Sequence, residues 1–386
     1  MIDTITLVLK ETQFEITNHN LFSPSTIGLY GSANGYYKLG ARSNMVCKQN
    51  PTTAELRNGI YKPRLSITKR MSADKKFEIL LKIEVSIPKL YFGNNLDELT
   101  NESFYEAIAV LKNTLDNMGV NIEYFDLIKA NVSGVHYGKN IPLTDYTTPY
   151  TYIKQLTKLN INRRLDTNQT DYRNEGHSFK YRANTFEICF YDKLKDYEQS
   201  KISPKRSMEK DTLLQSGLFD RPMFKQPFEV LRMEVRLSAK PKLRSVLKKL
   251  KINVETDFNN LFDEKISQTI LLHYVDEIES KFPPILQLEY KTPEQFFTEF
   301  LVNNPDKSLT YALKHLGNRV VQESIGTREF RQIIGVKHAN AWQALNKESK
   351  LIKGNKTVNP FEAIRNAIEE FKPLDADEYK SLNVKQ

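Results

Sequence analysis

FKYRANTFEICFYDKLKDYE, residues 179–198, alternates in its middle as a half-buried strand does. Phe186, Ile188 and Phe190 are assigned to a core, and Glu187, Cys189, Tyr191 and Lys193 share the opposite, more polar face. FEVLRMEVRL, residues 228–237, has the same character. Leu231, Met233, Val235 and Leu237 point inward and leave Arg232, Glu234 and Arg236 on an open face. As neighbours in one sheet, the two strands would present carboxylates, a tyrosine, a lysine and arginines on one surface. Such a surface suits phosphodiester chemistry, and an ordinary solvated sheet face is the other reading of the same pattern.

Working outward, residues 77–87 (FEILLKIEVSI) read as a strand and Phe104–Met118 as a helix stopped by Gly119. YFDLIKANVSGVHY, residues 124–137, reads as a second strand closed by GKNIP. The order strand, helix, strand implies a helix packed on a sheet. Upstream, residues 1–72 are strand and turn; GSANG there lacks the GKS or GKT ending of a phosphate loop. A helix over Tyr150–Leu159 leads to Arg163 and Arg164, and a second basic helix spans Lys242–Lys251; both segments are expected to contact phosphates. FEILLKIEVSIPKL (77–90) echoes FEVLRMEVRLSAKPKL (228–243), with Glu84 opposite Glu234. Two related sheet units, or chance between two β-rich segments, would produce that echo.

After Glu255 the pattern turns helical, over Leu261–Ile278, Pro293–Val302 and Ser308–Ser324. Thr327–Glu348 resembles a helix-turn-helix, with Lys337, His338, Asn340 and Gln343 as groove-facing candidates, or else an ordinary helical hairpin. Pro373–Glu378 is expected to fray. The fold class is therefore α+β: an antiparallel-rich sheet with packed helices over residues 1–255, then a helical domain over 256–386.

A chain of 386 residues with a net charge of +9 favours an anionic partner, nucleic acid first. Two cysteines far apart, Cys47 and Cys189, argue against a disulfide framework or structural zinc and for a reducing, cytoplasmic setting. No apolar run is long enough to span a bilayer, so no membrane role is expected.

A strand-borne tyrosine beside a lysine is a candidate nucleophile for DNA cleavage, because a nearby cation favours the phenolate. Tyr191 and Tyr197 are the candidates, with Lys193 as the cation. Mg²⁺ or Mn²⁺ would polarise the scissile phosphate, with His136, Glu187 and Glu234 as candidate ligands. Each has a structural reading as well: packing tyrosines, a satisfied histidine, and a Glu234 that only pairs with Arg232 and Arg236.

Three blocks resemble the rolling-circle replication initiators of phages and plasmids, of the filamentous-phage gene II/X and plasmid Rep_trans types. They are IKANVSGVHYGKNI (128–141), FEICFYDKLKDYE (186–198) and LRMEVRL (231–237). The family's Y-[DN]-K and R-[IFV]-E motifs stand here as Tyr191-Asp192-Lys193 and Arg232-Met233-Glu234. Its RxDxxxD block departs, with His136 where an acid is expected. The resemblance implies nicking at an origin, a covalent tyrosyl link and metal dependence. Its implied partners are the single-stranded origin region, the flanking duplex and a host helicase.

Overall fold

The computed structural model describes residues 1–18, 20–22, 43–49, 60–71, 77–143, 148–157, 171–173, 177–183, 185–198, 229–279, 292–326 and 361–375, with four isolated positions after 326. Arg163, Arg164, Lys337, His338, Asn340 and Gln343 lie outside the described residues, as does most of Thr327–Glu348.

The strands are β1 (Ile2–Lys10), β2 (Glu15–Ile16), β3 (Ser43–Gln49), β4 (Arg64–Met71), β5 (Phe77–Ser86), β6 (Val120–Asn121), β7 (Asn131–Pro142), β8 (Asp171–Arg173), β9 (Ser178–Ala183), β10 (Phe186–Asp192) and β11 (Val230–Leu237). Nine of them form one sheet in the order β3-β4-β5-β1-β7-β11-β10-β9-β8, and β2 pairs with β6 apart from it. Every pairing in the large sheet is antiparallel.

The order repeats itself about the centre. A meander β3-β4-β5 folds back to set β5 against β1, and a meander β9-β10-β11 folds back to set β11 against β7. Both β5 and β11 run into a helix with proline in its first turn, Ile87–Phe92 and Lys240–Lys249. Proline there fills a position whose N–H would have no helical partner. The echo between residues 77–90 and 228–243 thus corresponds to two equivalent strand-to-helix corners.

One face of the sheet is mostly apolar, with buried Lys139, opposite Met233 and paired with Glu98, and Asp192, opposite Leu231, toward one end. Ile5, Leu7, Leu9, Leu81, Ile83, Val85, Val135, Tyr137, Ile188, Phe190, Met233 and Val235 are all buried on it, each contributing about 1.5–3 kcal/mol by leaving water. The helix Glu264–Glu279 lies against this face, the Tyr274 ring standing 5.7 Å from Phe186, and just before that helix the Leu261 carbonyl accepts from the Tyr137 hydroxyl at 3.2 Å. Glu362–Glu370 packs on that helix in turn, with Arg365 bonded to Asp276 and Glu279 at 2.5 Å each. The hydrophobic core therefore continues across the expected boundary at residue 255.

Three local expectations are corrected. Tyr124–Ile128 is a short helix, and the strand expected there begins at Asn131. It also continues through GKNIP to Pro142, because β7 lies between two partners and Gly138–Ile141 complete the ladder with β11. Pro373–Asp375 does not fray: Leu374 is buried and exchanges hydrogen bonds with Glu98, donating to its carboxylate and accepting from its amide. No helix among the described residues is long and apolar enough to cross a membrane.

Candidate functional site

The second face of the sheet carries the polar residues, in rows set by the register. Asn140, Arg232, Tyr191 and Ser178 lie opposite one another across β7, β11, β10 and β9. The next row holds Gly138, Glu234, Cys189 and Lys180, and the one after it His136, Arg236 and Glu187. Directly opposed residues share a face, so the alternation read over 186–191 and 231–237 is the observed one, while Lys193, read as a strand residue, begins a helix.

That face is not open as expected. Tyr191, Lys193, Arg232 and Glu234 are all buried. The cause is the segment after the helix Ile87–Phe92. Gly93, at φ 73°, takes the left-handed turn that ends this helix. The Asn94–Leu96 backbone then crosses the polar face. Arg232 Nη1 donates to the Asn95 carbonyl at 3.1 Å, Lys193 Nζ to Asn95 Oδ1 at 2.7 Å, and Asn140 Nδ2 to the Leu96 carbonyl at 2.7 Å.

Beneath this cover the polar groups satisfy one another. Glu234 Oε1 accepts from the Tyr191 hydroxyl at 2.5 Å and from Arg232 Nε at 2.7 Å; Oε2 accepts from Arg236 Nε at 2.9 Å and Nη2 at 2.6 Å. Arg232 further donates to Asn140 Oδ1 at 2.9 Å and to Asp3 Oδ1 at 2.6 Å. Asp3 reaches it from a register shift between Ile2 and Thr4, where β1 is irregular against β7. Gly138 leaves the necessary room: a Cβ there would stand 2.8 Å from Arg232 Nη2.

The electrostatics follow from this closure. Burial opposes charge on Glu234, but Arg236 and Arg232 outweigh it and hold the carboxyl well below its ordinary range. Burial, then the Glu234 charge, pushes the Tyr191 phenol well above 10. Burial and Arg232 depress the Lys193 ammonium well below its usual value. Toward the other end the face opens: Arg236, Glu187 and His136 are half-buried. Burial and Arg236 push His136 down to about 4.

Arg236 occupies the middle of the three candidate metal ligands. It pairs in register with His136 and Glu187, and its guanidinium binds Glu187 at 3.5 Å and Glu234 at 2.6 Å. A guanidinium thus stands where a divalent ion would be held, and the set does not fit such an ion as arranged. Among the described residues no group of three His, Cys, Asp or Glu side chains is placed to hold a metal.

Tyr197 belongs to the helix Lys193–Glu198 that follows β10. Asp192 caps that helix, its Oδ1 accepting from the amides of Leu194 and Lys195 at 3.0 Å. Its other oxygen lies 3.3 Å from His177 Nδ1. The acid in Tyr-Asp-Lys thereby terminates the strand and starts the helix in one step. Asp3, Asn95, Asn140 and Gly138 were missed from sequence. The LRMEVRL alternation set Arg232 and Glu234 on one face, and nothing local to those four residues marked them as partners of that pair.

The chain matches no family model, no curated protein and no solved structure.

Proposed function

We propose that the chain is a replication initiator, which binds origin DNA, cuts one strand and stays joined to the new 5′ end through a tyrosine. The observation that carries this reading is the convergence of the three family-like blocks. Residues 128–141, 186–198 and 231–237 supply the adjacent strands β7, β10 and β11, and Asn140, Tyr191, Lys193, Arg232 and Glu234 meet in one buried network. We assign Tyr191 a positioning role, since its hydroxyl is committed to Glu234 and its ionisation is opposed by burial. Tyr197, in the helix that Asp192 caps, is the tyrosine we assign as nucleophile. Its oxygen would attack the phosphorus, form the tyrosyl ester and release the 3′ oxygen as a hydroxyl. Half-buried Arg236, at the open end of the face, is the cation best placed to meet a phosphate. Mg²⁺ or Mn²⁺ enters this proposal through the family resemblance alone.

Incubation with single-stranded origin DNA, with Mn²⁺ and with chelator, followed by denaturing electrophoresis, tests it. A protein–DNA adduct supports the initiator, and cleavage without an adduct makes the chain a hydrolytic nuclease. A second reading, an origin-binding or regulatory protein that does not cut, is favoured by the saturation of Glu234 and the cover over Tyr191. Mobility shift without cleavage would select it.

A further inference from the structure

The helix Lys240–Lys249 ends in an unusual way. The amide of Ile252 donates to the Leu247 carbonyl at 2.9 Å and that of Lys251 to the Lys248 carbonyl at 3.1 Å. This is the helix-ending turn in which the residue after the cap takes the left-handed conformation, a place ordinarily held by glycine. Here it is Lys251, at φ 58°. A β-carbon is strained in that region, and strain at one residue is a reason to ask what its side chain does.

Lys251 lines a cleft of about 630 Å³ together with Arg244, Lys248, Asn131, Asn253 and Thr256. Arg244 and Lys248, four residues apart, share one side of the helix, and Lys251, just past its end, lines the same cleft. All three are exposed, and none forms an ion pair with a described residue. Glu255 is the one acid in the lining, and Leu247, Ile252 and Val254 give the cleft apolar surface. Unpaired cations along one cleft meet successive phosphates. Apolar surface beside amide and hydroxyl groups meets a base that has left its stack.

We propose that this cleft binds a single-stranded segment of nucleic acid, its phosphates on Arg244, Lys248 and Lys251 and a base toward Ile252 and Val254. It rests on the reading of the chain as a DNA-binding protein, but not on the nicking chemistry, which belongs to the opposite face of the sheet.

Anisotropy of a short labelled oligothymidylate, titrated across salt, tests the proposal on the full chain. Arg244→Ala/Lys248→Ala/Lys251→Ala should lower the log–log salt slope by about 2, at roughly 0.7 per phosphate on a single strand. Lys251→Gly should lower it by about 0.7, while raising the thermal midpoint by relieving the left-handed backbone. That combination, a more stable protein with weaker binding, is one that a structural role for Lys251 does not produce. An unchanged slope in the triple variant overturns the proposal, as does a Lys251→Gly protein that binds like the parent. Loss of duplex binding with single-strand binding intact overturns it too. If the slopes change as expected and the parent forms no tyrosyl adduct, the cleft stands and the nicking reading falls.

Discussion

The Tyr191 hydroxyl donates to Glu234 at 2.5 Å, between neighbouring strands and under a covering loop. In the proposed reading this tyrosine belongs to the frame and Tyr197 is the nucleophile. A Tyr191→Phe protein should fold and lose about 1–3 kcal/mol, because Glu234 keeps its arginine donors but one buried bond is gone. It should still form the DNA adduct, whereas Tyr197→Phe should form none. Loss of the adduct in Tyr191→Phe alone, with normal folding by circular dichroism, would return the nucleophile to the strand.

Glu234→Gln removes the one carboxylate shared by Arg232 and Arg236. Leaving two guanidinium charges with only Asp3 and Glu187 to balance them should cost about 3–5 kcal/mol in urea denaturation. Raised Mn²⁺ should leave that deficit, and any deficit in cleavage, unchanged. Rescue by Mn²⁺ would show that Glu234 serves a metal and that Arg236 yields its place.

The pH dependence has two arms of one sign. The Glu234 carboxyl is depressed below its usual 4.5 in the folded protein, so the unfolded chain takes up that proton first and stability falls as pH drops below about 4.5. His136 titrates near 4 when folded against 6.5 when free, so its contribution is full above 6.5 and is lost as pH falls toward 4. Denaturant midpoints measured from pH 7 to pH 4 should decline throughout, and His136→Gln should flatten the part between 6.5 and 4.5.

Gly138→Ala places a methyl group 2.8 Å from Arg232 Nη2 and 3.3 Å from Glu234 Cγ. Neither neighbour is the loose end of a surface side chain, so the substitution should destabilise the fold by about 1–3 kcal/mol. A thermal midpoint equal to that of the parent would mean that the Arg232 network can shift, and that its closure is looser than its bonds suggest.

Strand periodicity made β5, β10 and β11 legible, along with the face on which each polar side chain lies, because those depend on residues two apart. Caps and apolar spacing did the same for Phe104–Asn117, Pro293–Asn303 and Leu309–Ile325. What covers the polar face was not legible. It depends on one left-handed glycine, Gly93, that turns a loop from a distant strand onto Arg232 and Lys193. The Asp3–Arg232 pair was equally hidden, since a register irregularity in β1 has no period. The exposed character assigned to Arg232 and Glu234 failed for this reason: alternation tells inward from outward along a strand, and says nothing of a second layer.

The central place of β1 also bears on how the chain reaches its fold. β1 pairs with strands that begin 67 or more residues later, and the Asp3–Arg232 bond joins positions 229 apart. Local meanders such as β9-β10-β11 have short loops to close only in part, while the middle of the sheet waits for most of the chain to be synthesised. Contacts of such separation put refolding in the slow class of β-rich proteins, with unpaired strand edges exposed in the interval. A nascent chain halted before Val230 would hold Asp3 without its guanidinium and β7 without one neighbour. Such a truncated chain should be held by chaperones or aggregate, and the yield of soluble protein should rise when translation is slowed or temperature lowered.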